Sequence, residues 1–365
     1  MNKRSKATLP TLLLLIICSC SQQTEPWITG FVKPAQNPIL QADSAFVFHD
    51  PNTNGPVRWQ KADVFNPAAV VRNDTVFMLF RAEDNPKAYL GGRTSRIGLA
   101  WSVDGLNFTK HPEPVLYPDS TLHVQWDYPG GCEDPRVVET EDGHYIMTYT
   151  SWDQKTARLS IASSTDLIHW SKEGPAFEFA SNGKFLDTWS KSGSIVTRQE
   201  GDKLIATKIN GKYWMYFGER GAKLAWSENL IDWTPLEDEN GELLIVMPLR
   251  TGKFDSFLTE PGPPAILTED GILLFYNGKN DEGELADPNI AKGTYCGGQA
   301  LFDKDNPEKL LKRMDQPFIC PDLPHEVTGQ YAAGSTFIEG IVFFKDKWHL
   351  YYGTADSYVG IAIQE

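Results

Sequence analysis

The chain has 365 residues and a formal net charge of −14 at pH 7, from 34 Lys and Arg against 48 Asp and Glu. The length supports a large core, and the charge argues against nucleic acid or an anionic membrane surface as a partner while leaving neutral ligands open. Aromatic residues make up 12% with 11 Trp, and 30 Gly and 24 Pro imply many turns.

The first predicted element is a targeting segment. Lys3, Arg4 and Lys6 precede an apolar run at residues 12–17, too short to span a bilayer, so it reads as a signal core. "ICSC" follows and resembles the bacterial lipoprotein box, with Cys20 as the lipidated first mature residue and polar "SQQTEP" as a tether. An ordinary secretory signal is the plainer alternative. The expected layout is signal and lipobox over 1–20, tether over 21–30, and one domain over 31–365. The lipid anchor would be the only membrane contact of an envelope protein in a Gram-negative-type bacterium. The periplasmic side is favoured, because no acidic cluster follows Cys20, and the cell surface stays open.

Export leaves Cys132, Cys296 and Cys320, an odd number that allows one pair or three buried thiols. The seven His are scattered without H-x-x-x-H or C-x-x-C, so no metal and no cofactor is expected.

A repeat then runs down the chain. "GLAWSVDGLNF", "SIASSTDLIHW" and "KLAWSENLIDW" superpose without gaps on Ser102, Ser164 and Ser227, which lie 62 and then 63 residues apart. The serine-turn-aromatic pattern reads as architecture. Five short apolar, aromatic runs interleave with it: "TVFMLFRAED", "HYIMTYTSWD", "KYWMYFGER", "ILLFYNGKND" and "WHLYYGTADS". Each follows a turn such as "RNDT", "INGK" or "FKDK", and amphipathic helices are nearly absent. Short strands at this period predict an all-β, five-bladed β-propeller with about four strands per blade.

Function in such a ring gathers where equivalent strands converge. The strand-leading segments are read as 64–71, 132–139, 190–197, 260–267 and 331–338. They place Asn66, Asp134, Lys191 and Glu260 at comparable positions. The ends of the aromatic runs add Arg81, Glu83, Asp84, Glu219, Asn277 and Asp356. Convergent acids with aromatics nearby suit sugar binding and glycosidic-bond cleavage, which needs one protonated and one charged carboxyl.

Within "PGGCEDPR", residues 129–136, Asp134 leads an apolar strand and Pro135 stiffens it. Glu133 beside it, with partial burial, would raise a carboxyl pKa. Extended chain turns neighbours to opposite faces, so only one of the two is expected to face a pocket, and the residues alone do not choose. Glu219 in "YFGERG" is either a site group or a simple partner of Arg220. Glu260, before "PGPP", is either a site group or an exposed turn charge.

These residues together resemble glycoside hydrolase family 130, over about residues 60 to 360. The most specific parts are "GGCEDPRV" and the closing "YYGTAD". The resemblance implies a five-bladed propeller acting on mannosides, with Asp134 as the general acid, protonating the leaving oxygen through a substrate hydroxyl. It further implies that Asn66, Arg81, Asp84, Arg96, Lys191 and Asp356 line the sugar pocket. Family phosphorylases carry basic residues for phosphate where this chain reads "FGERG" and "YNGKN". A dianion needs Arg or Lys donors, whereas this chain offers Glu219 with Glu260 expected close by. The expectation is therefore an exo-acting, inverting β-mannosidase for β-1,2-linked mannose in mannose-containing oligosaccharides. Asp134 is its acid, and Glu219 and Glu260 hold and deprotonate water. The rivals are a phosphorylase releasing α-mannose 1-phosphate, with Arg220, Lys223 and Lys279 as its cations, and a glycan-binding lipoprotein without catalysis.

Overall fold

A computed structural model describes residues 25–85, 87 and 93–365. Cys20 and the apolar run at 12–17 lie outside them. The described chain is nearly all β. Helix is confined to single turns at Val124–Asp127, Ala180–Gly183 and Pro324–Val327. No described helix is long and apolar enough to cross a membrane.

The strands form five antiparallel groups in chain order. The first runs Asp63–Arg72, Thr75–Glu83, Ser95–Ser102 and Thr109–Lys110. The second runs Gly131–Glu139, Tyr145–Trp152, Ala157–Ser164 and Trp170–Pro175. The third runs Ser194–Glu200, Lys212–Phe217 and Ala222–Ser227, and then Thr234–Pro235 and Ile245–Met247 along its edge. In the fourth, Leu258–Pro261 and Ala265–Leu267 share the partner Ile272–Lys279, and Tyr295–Phe302 and Leu310–Arg313 follow. The fifth runs Phe337–Phe344, Lys347–Thr354 and Tyr358–Gln364, and the early strand Phe31–Val32 completes it.

The hairpins form where the sequence supplies left-handed turn residues. Asn73 and Asp74 have φ of 50° and 55°, and Lys345 and Asp346 have 49° and 62°. The serine repeats are architecture, as read. Ser102 Oγ accepts the Gly105 N–H, Ser164 Oγ that of Leu167, and Ser227 Oγ that of Leu230. Trp170 and Trp233 close two of these turns by donating to the Leu167 and Leu230 carbonyls.

Five hydrophobic clusters hold the groups together, each shared by two of them. Leu79, Leu99, Val137 and Tyr149 join the first to the second. Ile161, Ile195 and Phe217 join the second to the third. Tyr216, Leu274 and Phe302 join the third to the fourth. Phe275, Ile338 and Leu350 join the fourth to the fifth. Met78, Phe80, Phe344 and Tyr351 join the fifth back to the first.

The lead strands depart from the sequence reading in one place that matters. The fifth is Phe337–Phe344 rather than 331–338. Cys296 and Cys320 form a disulfide, and Cys132 is buried and free.

Candidate active site

The lead strands converge on one cavity of about 330 Å³, and irregular backbone aims their polar side chains into it. The ladder of Asp63–Arg72 shifts register at Asn66, whose φ is 48°. That of Gly131–Glu139 shifts at Asp134 and Pro135, with φ of 50° at Asp134. Ser192, beside Lys191, has φ of 60°, and Phe337–Phe344 shifts register at Glu339. A β-bulge leaves one residue out of the ladder and re-aims it. Because of the bulge, Glu133 and Asp134 both line the cavity, against the expectation that only one would.

Asp134 Oδ1 accepts from Asn66 Nδ2 at 2.8 Å and from Arg81 at 3.1 Å. Arg81 also donates to Glu83 at 2.7 Å, to Glu133 at 2.8 Å and to Ser95 Oγ at 3.1 Å. Burial alone would raise the Asp134 pKa. Arg81 and Lys191, with the Asn66 hydrogen bond, outweigh that and hold it below its ordinary value. The expected upward shift falls on Glu133 instead, where burial dominates over Arg81 and the neighbouring Asp134 adds to it, pushing it up to about 7.

Across the cavity, Lys191 Nζ lies 4.0 Å from Glu219 Oε2. Glu260 is buried and accepts a short hydrogen bond from Ser192 Oγ, so it is no exposed turn charge. Burial first, and the nearby Glu219 in addition, push its pKa up to about 7 against the pull of Lys191. Asp356 lines the cavity too, and burial lifts it to about 6. The aromatic wall comprises Phe65, Trp152, Trp189, Tyr295, Tyr331 and Phe337, with Trp152 and Trp189 edge to face at 5.6 Å. Five acids (Glu133, Asp134, Glu219, Glu260 and Asp356) and two cations (Arg81 and Lys191) face this space.

Of the expected site residues, Asn66, Arg81, Asp134, Lys191, Glu219, Glu260 and Asp356 come together here. Asp84, Arg96 and Asn277 do not line the cavity. Arg96 is buried between Asp50 at 2.6 Å and Asp84 at 2.8 Å, which makes that trio a brace. Asn277 is fully buried, receives the Ile338 N–H at 2.7 Å and donates to the Ile338 carbonyl at 3.0 Å. Arg220 packs its guanidinium over Phe257 at 4.7 Å rather than pairing with Glu219.

The sequence reading missed Glu339. It is fully buried, and burial raises its pKa well above the ordinary value. Its signal was present as "FIEGIVFF", one acid within an apolar strand and followed by glycine. The misplaced fifth segment hid it. Among the described residues, no three His, Cys, Asp or Glu are grouped so as to hold a metal ion.

Comparison with known proteins bears on this geometry. A curated relative, a 1,2-beta-oligomannan phosphorylase from Thermoanaerobacter sp. (strain X514), is 31% identical over 312 residues, covering 84% of this chain and 91% of its own. A glycosyl hydrolase from Bacteroides ovatus superposes with a TM-score of 0.89 at 46% identity, covering 92% of this chain and 93% of its own. A third structure superposes at 0.91 with 46% identity, covering 93% of this chain and 95% of its own. It was reported under the finding that the family of mannoside phosphorylases contains glycoside hydrolases that target β-1,2-mannosidic linkages in Candida mannan. The model of this same family, described as beta-1,4-mannooligosaccharide phosphorylase, matches residues 32–365. With that match over most of its length, the chain belongs to glycoside hydrolase family 130.

Proposed function

We propose that the protein is an exo-acting, inverting β-mannosidase that hydrolyses β-1,2-linked mannose, built as a five-bladed propeller with its cavity at the axis. Asp134 acts as the acid, and Glu219 and Glu260 hold and deprotonate water on the opposite face of the sugar. Asn66, Arg81, Lys191 and Asp356 bind the sugar. Arg81, Lys191 and Asn66 hold Asp134 below its ordinary value in the free site, so the acid role requires it to take up a proton once sugar is bound.

The balance of charge in the cavity carries this reading. Both cations that line it already have carboxylate neighbours: Arg81 has Glu83, Glu133 and Asp134, and Lys191 has Glu219. A phosphate dianion entering there meets uncompensated like charge in a partly dry space, which costs several kcal/mol as an order-of-magnitude Coulomb figure. The cations of the rival reading are engaged elsewhere. Lys223 donates to the Gly221 carbonyl at 2.9 Å, and Lys279 lies over Phe257 at 4.8 Å and Tyr295 at 5.7 Å. The phosphorylase reading draws its support from the curated relative.

Proton NMR of a β-1,2-mannobiose digest, run with and without phosphate, separates the two. Hydrolysis gives free mannose at equal rates in both, first as the α-anomer. Product only with phosphate, as α-mannose 1-phosphate, establishes the phosphorylase.

The proposal includes export and anchoring through Cys20 on the periplasmic side. Radiolabelled palmitate that enters the wild type and not Cys20→Ser supports it; equal labelling sinks it.

A further inference from the structure

The acid and the proposed base sit on different strand groups, so something must fix the gap between them. Arg136, buried beneath the cavity, reaches both sides. Its Nη1 donates to the backbone carbonyl of Asp134 at 3.1 Å. Its Nη2 donates to the Pro261 carbonyl at 3.0 Å, and its Nε to the Gly262 carbonyl at 2.8 Å. Those two carbonyls directly follow Glu260. One rigid guanidinium fork therefore ties the backbone of the acid to that of the base.

Among the described residues the fork has one carboxyl group in direct contact, Glu339, whose Oε1 lies 3.0 Å from Nη2. Glu339 is fully buried, and neither of its oxygens forms a hydrogen bond among the described residues. Such a group is costly unless its one contact serves a purpose. The bulge that turns Glu339 inward is held from the base side, because Asn277 clasps Ile338 while standing opposite Glu260 in the ladder. Strand groups two, four and five thus meet at Arg136.

We propose that Arg136 and Glu339 form an axial positioning pair that sets the separation of Asp134 from Glu260, without touching substrate. This rests on the acid and base roles proposed above. In an inverting glycosidase the two carboxyls stand about 6.5–9.5 Å apart to admit water, so a small shift in that gap acts on turnover before it acts on binding.

The test is a double-mutant cycle on kcat and KM for β-1,2-mannobiose, with Arg136→Lys, Glu339→Gln and the double variant, each checked for folding by circular dichroism and melting. Arg136→Lys keeps the charge and loses the fork. It is expected to lower kcat by about 100-fold with KM within threefold. Glu339→Gln is expected to lower kcat by about tenfold, and the double variant to be no slower than Arg136→Lys alone, since both act through one link. Multiplying losses, a loss confined to KM, or wild-type kcat in Arg136→Lys overturns the proposal. If Arg136→Lys does not fold, Glu339→Asp against Glu339→Gln carries the test: both must lower kcat with KM held, and a KM effect alone overturns it. A wild type that requires phosphate sinks the hydrolase reading instead, and the cycle is then read on the phosphorolysis rate.

Discussion

Glu260 and Asp134 carry opposite shifts, and each has a kinetic consequence. A base must be ionised to take a proton from water, and burial with Glu219 nearby lifts Glu260 to about 7. Asp134 must gain a proton while Glu260 loses one, so the free enzyme holds the right number of protons between the two values, and wild-type kcat/KM is expected to stay level below about 7 and to fall as pH rises above it. In Glu219→Gln the neighbouring charge is gone, so the limb of the residual rate moves to lower pH. A wild-type limb near the ordinary glutamate value would remove Glu260 from the role of base. Glu219→Gln and Glu260→Gln should each lower turnover by about 100-fold or more while melting stays near wild type, since a lost catalytic carboxylate of this kind costs 10²–10⁴. Wild-type rates in both would sink the assignment. The charges at these positions were legible in the sequence because each ends or leads an apolar run. The direction of the Asp134 shift was not, since it depends on Arg81 arriving from another strand group at 3.1 Å.

At the scale of the strand, the site is a set of bulges, and bulges are what periodicity conceals. The alternation of side chains predicts one face per residue, so Glu133 and Asp134 were expected on opposite sides. The bulge at Asp134 breaks that rule, and so does the one at Glu339. The five groups and their turns were readable because "RNDT" and "FKDK" carry their own turn chemistry. Asn277 is expected at the convergence because it ends an aromatic run, and a polar residue there looks the same whether it meets a ligand or a neighbouring strand; Arg96 is placed there only by the resemblance. Close approach between groups also leaves a mark. A Cβ at Gly353 would stand 2.0 Å from Asn66 Oδ1, so the bulge that brings Asn66 to Asp134 requires glycine there. Gly353→Ala is expected to lower kcat/KM at least about tenfold and to reduce stability by about 1–3 kcal/mol, the usual range for overpacking. Unchanged kinetics in a folded variant would show that Asn66 does not orient Asp134.

For the whole molecule, the buried acids tie stability to pH. Glu339 has a folded pKa raised well above its unfolded value, so the folded state binds its proton more tightly. The stability this contributes is full below about pH 4.5 and is lost as pH rises toward the folded value. Glu133 and Glu260, both near 7, add to the same slope. Glu339→Gln lacks the Glu339 part, so its melting temperature should gain on wild type as pH rises from 5 to 8. A constant difference across that range would mean that Glu339 does not titrate as its burial implies. The Cys296–Cys320 bridge closes a loop with a sequence separation of 24 within the fourth group and its flanking segment. Replacing both cysteines by serine is expected to cost about 3 kcal/mol by chain entropy, read as a lower denaturant midpoint.

The pairing of Phe31 with Gln364, and of Val32 with Ile363, joins an early strand to the last one in a single ladder. Lys33 strengthens the seam by donating to Glu326 at 2.8 Å, and Gln299 holds the Ile28 backbone on both sides. This contact is among the most distant in sequence of those described, which makes it slow to form relative to the hairpins. A nascent chain has all five strand groups in hand before the first and fifth can pack together. Until then the faces of the first and fifth groups, with Phe80 and Phe344 among them, stand open to solvent and to one another's copies. Deleting Phe31 and Val32, or the strand Tyr358–Gln364, strikes the same seam.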